Sequence, residues 1–200
     1  MVYDRTCTST RGVPIGLSHA WVFGGRLYGV LGRFDAWRGV ESWGEALDWL
    51  LEQAEQGPIA SIQYWGHGNW GTARVASEVL DVSALAAGHP LHDRLRALKG
   101  GLTPEALWWF RTCETLGCVP GHDFARRWTD FFEVDVAGYT HVIGSWQSGL
   151  HRLAPGATPH WPTREGLRDG SPRQPLRAYG SSPFRTHTIH CLQSHIPDRW

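Results

Sequence analysis

Between residues 43 and 137 the chain alternates short apolar runs with amphipathic stretches, and this alternation narrows its fold more than any other feature. Ser42-Trp43-Gly44-Glu45 has the form of a capping box, in which the Ser hydroxyl accepts from the Glu45 backbone N–H. Behind it Trp43, Leu47, Leu50, Leu51 and Ala54 recur at helical spacing, and Gly57-Pro58 stops the run, so a helix is expected over 43–56. Ile59–Trp65 (IASIQYW) then reads as a strand running into Gly66-His67-Gly68. Residues 73–81 partly alternate, as a small hairpin would, and Leu91, Leu95 and Leu98 share one face of a helix over 91–99. Ala106–Thr112 (ALWWFRT) is too short for a helix and reads as a core strand with Cys113 at its end. A glycine-bearing loop over 114–121 precedes a helix at 122–132, where Phe124, Trp128 and Phe131 or Phe132 face the core. Val134–Ala137 and His141–Gly144 supply further strand, and His19–Gly25 (HAWVFGG) reads as a buried strand ended by glycines. The expected class is α/β, with a mostly parallel sheet and helices on both faces.

The flanks differ from this central part. Residues 1–17 are polar and punctuated by Gly and Pro, which suggests an irregular lead-in. Residues 18–148 carry the α/β domain. From 149 to 200 the prolines at 155, 159, 162, 172, 175, 183 and 197 break any long element, so a loop-rich, Pro-rich C-terminal extension is expected, packed on or near the domain.

Composition excludes some functions. The 19 basic and 19 acidic side chains cancel, so no net field draws the protein to nucleic acid or to an anionic membrane. No run of about 18 apolar residues is present, and the N-terminus lacks the apolar core of a signal peptide. A cytoplasmic location is therefore expected. The four cysteines, Cys7, Cys113, Cys118 and Cys191, are too few and scattered for a disulfide framework, which leaves free thiols, ligands or nucleophiles.

His67 and Cys113 each stand just past the carboxyl end of an expected strand. In open parallel sheets reacting groups gather outside those ends, and a crossover brings two such ends to one rim. A thiol needs a base to take its proton, and histidine, with a pKa near neutrality, suits that role. Glycines on both sides of His67 allow close approach of substrate, and the backbone N–H groups of Gly68 and Cys113 are the natural donors to an oxyanion. Trp65, Trp70 and Trp146 lie near the same rim, and Trp65 and Trp146 are candidate walls of a substrate groove.

The segment IQYWGHGNWG resembles the histidine motif of the caspase-like cysteine peptidases, and WWFRTCETLG resembles their cysteine motif. Cys113-Glu114-Thr115 is especially similar to the Cys-Glu-Thr of the bacterial CHAT branch, with Thr112 where that branch has Ala. The glycine loop, the helix GHDFARRWTDFF and the strand VDVAGYTHVIGS follow in the family's order, and the likeness covers roughly residues 18–148. Cys113 lies 46 residues after His67 (113 − 67), against about 50 in caspases. The resemblance implies a caspase-like three-layer sandwich, a Cys nucleophile with a His base, and no metal or organic cofactor. It also implies a protein or peptide substrate and a place in a larger regulatory complex. The part before the His strand reads as one β–α unit shorter than in an animal caspase, and Arg74, Arg111 and Arg152 are available to an acid-reading pocket.

Other readings stay open. The same domain without activity would be a protein-interaction module, and a different thiol hydrolase fits a similar sheet. Cys118 reads as a loop or core thiol. Joined with Cys113 and His122 it makes a poor zinc spacing. Glu114 reads as a solvated loop residue or a substrate-facing acid. His187, His190, Cys191 and His195 crowd the tail; such ligand types could bind zinc or nickel, but chance clustering among 11 histidines is the favoured reading and no metal is assigned.

Overall fold

The computed structural model describes residues 1–8 and 16–197. Its elements begin with β1 (Val2–Asp4), α1 (Leu17–Val30), β2 (Arg38–Val40), α2 (Trp43–Gln56) and β3 (Ile59–Trp65). An antiparallel excursion follows, made of β4 (His67–Asn69), β5 (Thr72–Val75) and β6 (Glu78–Leu80). Then come α3 (His92–Lys99), β7 (Leu102–Arg111), α4 (Cys118–Phe132) and β8 (Asp135–Tyr139). The last part holds β9 (Trp146–Gln147), β10 (Leu150–Leu153), β11 (Leu167–Gly170), β12 (Pro175–Ala178) and β13 (Ile189–His190).

Six strands form the central sheet in the order β10-β8-β7-β3-β1-β2. All neighbours are parallel except β10, which runs antiparallel to β8 at one edge. The period-two alternation of the strands sorts side chains between the two faces. Ile62, Tyr64, Trp108 and Phe110 enter the larger core beneath α2, α3 and α4. Trp65 faces the other way, into a cluster with Tyr28 of α1, while Trp109 packs with Tyr139, Leu150, Ile189 and Ile196. One face is thus closed by three helices and the other by α1 together with the chain's last part.

The helix over 43–56 forms as expected, with the Ser42 hydroxyl accepting from Glu45 N–H at 3.0 Å. The 59–65 strand, the 73–81 hairpin and the 91–99 helix also lie where the pattern puts them. Four expectations are corrected. The run at 19–25 is part of a helix, α1, and not a strand. Its glycines mark close packing: a Cβ on Gly24 would stand 2.6 Å from the Trp65 ring, and one on Gly25 would stand 2.9 Å from Met1. Residues 2–4 of the supposed lead-in form a strand inside the sheet, and 38–40 form another at its edge, so two β–α units precede β3. Residues 9–15 of the lead-in lie outside the described residues. Helix α4 starts at Cys118, inside the expected loop. Residues 141–144 are not a strand; Val142 makes only an isolated bridge to Gly180.

An aromatic stack holds α4 to the sheet. Trp128 meets the rings of Trp108, Phe110, Phe124 and Phe132 at 5.1, 5.6, 5.1 and 5.2 Å. Trp128→Ala leaves a cavity that such a rigid stack cannot close, and a loss of about 3–5 kcal/mol in urea unfolding is expected. A loss under about 1 kcal/mol would show that the cluster is not what fixes α4.

Candidate active site

The registers bring the two motif residues to one rim. Trp65 of β3 is opposite Arg111 of β7 in parallel pairing, so His67 and Cys113 each stand two residues beyond that level. Both line one cavity of about 570 Å3. A second cavity of about 380 Å3 lies around Pro58 and Ile59, at the opposite end of β3, and among the described residues no cysteine or histidine lines it.

The Cys113 turn is tightly held. Glu114 N–H donates to His141 O (3.0 Å), Leu116 N–H to Tyr139 O (3.0 Å) and Gly117 N–H to Glu114 O (2.9 Å). The Thr112 and Thr115 hydroxyls are 2.6 Å apart, and Thr115 also donates to Thr72 O at 3.0 Å. Glu114 adopts the left-handed conformation, with φ 35°. Gly68 passes directly against this turn. A Cβ there would stand 2.8 Å from the Cys113 carbonyl oxygen and 2.3 Å from the Thr115 hydroxyl, so only glycine fits.

The His67 ring is engaged by a thiol other than Cys113. Its Nε2 stands 3.4 Å from Cys7 Sγ, and the Trp21 ring meets it edge-on at 5.6 Å. Cys7 lies three residues past the end of β1, the strand on the other side of β3. The Asp4 carboxylate accepts from Thr6 N–H (2.8 Å), and Cys7 O accepts from Ser18 N–H of α1 (3.1 Å), which fixes the thiol's path. His67 therefore belongs to the middle one of three neighbouring strand ends, flanked by Cys7 and Cys113. Cys7 carries no local sign of this position, because residues 2–4 read as polar lead-in rather than strand.

Cys113 is half-buried, and burial pushes its thiol up to about 11, although a hydrogen bond from the Ile143 backbone favours the thiolate. The resting thiol is protonated. Glu114 is not a solvated loop residue: it is 9% exposed, its Oε2 has no hydrogen-bond partner among the described residues, and burial raises its carboxyl to about 7.

Of the three arginines available to an acid-reading pocket, only Arg111 lines the cavity. It is 4% exposed, with its guanidinium over the Trp65 and Trp109 rings at 4.9 and 4.7 Å. It donates to Gln147 Oε1 (2.8 Å), Cys191 O (2.7 Å), Gln193 O (3.2 Å) and Tyr28 OH (3.3 Å). Arg152 instead pairs with Asp135. Trp65 lines the cavity. Trp146 does not line it; 41% exposed, it packs edge-on against His190. Trp70 packs by the Gly117 turn. Cys118 is a buried core thiol, and His122 packs against Trp161. In the tail, His190 and Cys191 line the cavity, and His187 packs on His151. Among the described residues, no three His, Cys, Asp or Glu side chains are grouped to hold a metal ion, and no helix is long and apolar enough to cross a membrane.

The chain matches no protein family, and no curated protein is significantly similar to it.

Two outcomes follow. Cys7→Ala removes the thiol that stands 3.4 Å from His67 Nε2, and with the ring released Cys113 should be alkylated faster by iodoacetamide, followed residue by residue by mass spectrometry. An unchanged rate would mean that Cys7 does not restrain the histidine. Glu114 keeps a proton in the fold between pH 4.5 and about 7 that the unfolded chain releases, so its contribution to stability falls as pH rises through that window. Glu114→Gln should therefore gain stability relative to the native chain in urea melts at pH 8, and the gain should fade at pH 4.5. An equal difference at both pH values would mean that Glu114 titrates normally.

Proposed function

We propose that the chain is a cysteine endopeptidase of the caspase-like kind, with Cys113 as nucleophile and His67 as base. The observation that carries this reading is the placement of both residues on the wall of one cavity, past the carboxyl ends of paired parallel strands. Supporting it are the mostly parallel sheet and the exclusion of any side chain at Gly68.

With its thiol raised to about 11, Cys113 is ionised in only about one molecule in ten thousand at pH 7. The proton must then move as the bond forms. His67 turns from Cys7, takes the Cys113 proton, and the sulfur attacks the scissile carbonyl carbon. The oxyanion accepts from the Gly68 and Cys113 N–H groups. Collapse breaks the C–N bond, and His67 returns the proton to the leaving amine. Water, deprotonated by His67, then cleaves the thioester; the acid leaves and the thiol regains its proton.

A second reading, the inactive interaction module, draws on the same geometry: His67 contacts Cys7, and Cys113 rests as a protonated thiol. Turnover separates the two. With an unbiased peptide library read by mass spectrometry, the native chain should cut, Cys113→Ala should not, and His67→Ala should lose about 10²–10⁴ in kcat/KM. No cutting by the native chain, or cutting that survives Cys113→Ala, would remove the peptidase reading.

A further inference from the structure

The peptidase reading leaves open what the cavity accepts. We infer that the 570 Å3 cavity is a specificity pocket for a bulky apolar side chain, aromatic or long aliphatic, on the residue whose carbonyl Cys113 attacks. The inference rests on that reading for the reaction, and on the cavity's own chemistry for the side chain.

Position comes first. Cys113 itself lines the cavity, so an acyl group within bonding reach of its sulfur has this space beside it for its side chain. Size comes next. The volume lies within the range of ligand-binding pockets and well above what a small side chain fills. An alanine there would leave most of the walls without contact.

Chemistry decides the rest. Leu17, Ala20 and Phe23 of α1 form one wall, Trp65 lies on the sheet side, and Ile143 and Leu192 belong to the opposite loops. Leu17, Phe23 and Leu192 are 44%, 70% and 46% exposed, so apolar surface lies open to water around the thiol, where a buried ligand would cover it. Among the described residues no acidic side chain lines the cavity, so a Lys or Arg side chain would enter without a counter-charge from them. Arg111 does line it, but its guanidinium is covered by two indole rings and donates to four acceptors of the chain itself. An aspartate would have to displace the Cys191 and Gln193 carbonyls or the Gln147 amide, breaking bonds that hold the wall. A bulky apolar group needs none of these changes.

The wall is built on glycine. Gly24 lets α1 approach Trp65 so closely that any Cβ there would collide with the indole, and the helix thereby brings Ala20 and Phe23 to the cavity edge.

The experiment measures kcat/KM of the full chain on acetyl-Ala-Ala-X-aminomethylcoumarin, with X as Leu, Phe, Ala, Asp or Lys. In parallel, the Cys113→Ala chain is titrated with acetyl-Ala-Ala-X-amides, and tryptophan fluorescence is read. Leu or Phe should exceed Ala, Asp and Lys by about tenfold or more. Ala20→Phe, which fills the pocket from α1, should lower the Leu-to-Ala ratio, a quantity independent of how much of the variant folds. Preference for Asp or Lys, or an unchanged ratio in Ala20→Phe, would overturn the inference and leave the peptidase reading standing. If nothing is cut but the Leu and Phe amides bind best, the peptidase reading falls and the pocket assignment stands. If nothing is cut and the amides bind alike or not at all, both fall.

Discussion

The parallel pairing of β3 with β7 is the contact on which the rest of the molecule depends. It aligns Trp65 with Arg111 and so brings the segments that carry His67 and Cys113 to one rim, on the wall of one cavity. Because side chains alternate along each strand, the same register sends Tyr64, Trp108 and Phe110 to the helical core and Trp65, Trp109 and Arg111 to the opposite face. A slip of one residue would exchange the two faces, putting the Arg111 guanidinium into an apolar core and the largest rings outside it. The core thus enforces the geometry of the rim.

On that rim, three strand ends meet around one histidine. Cys7, His67 and Cys113 follow β1, β3 and β7, and the described arrangement joins His67 to the first thiol. Burial acts in the same direction at the second, because desolvation keeps the Cys113 proton in place and keeps the neighbouring Glu114 carboxyl near neutrality. Arg111 carries its charge into the cavity lining, where it is spread over carbonyl oxygens and ring faces, and its bonds to Cys191 and Gln193 also tie the chain's last part to the sheet.

Elements that obey a local rule were legible in the sequence. The 43–56 helix carries its own cap and stop, and the IASIQYW and LWWFR runs are short apolar runs of strand type, although the similar run at 19–25 shows that this pattern alone does not exclude a helix. Elements stabilised mainly by distant partners were not. Val2–Asp4 is three residues long and is a strand because β2 and β3 flank it. Helix α1 contains a glycine pair that weakens any helix locally and that reads, without its partners, as the end of a strand. Trp65, Met1 and Trp37 pack where side chains would otherwise stand, and this contact outweighs propensity. Helix α4 begins four residues before His122 because the Cys113 turn hands its backbone directly to the helix, although Pro120 and Gly121 read as loop. For the site, His67, Cys113, Gly68 and Trp65 were recognisable from two motifs. Cys7 was not, because nothing near it in sequence signals its neighbour 60 residues on.

Periodicity along the chain was enough for the α/β class and for the two strands that carry His67 and Cys113, whereas the need for glycine at 68 comes from the distant Cys113 turn that packs against it. Tertiary structure alone decided which thiol the histidine meets, that Glu114 is buried, and that Trp65 walls the cavity while Trp146 does not. It also decided that α1 and the residues near 191 enclose the space beside Cys113. Those outcomes depend on contacts between segments far apart in the chain, and no local pattern encodes the distance between them.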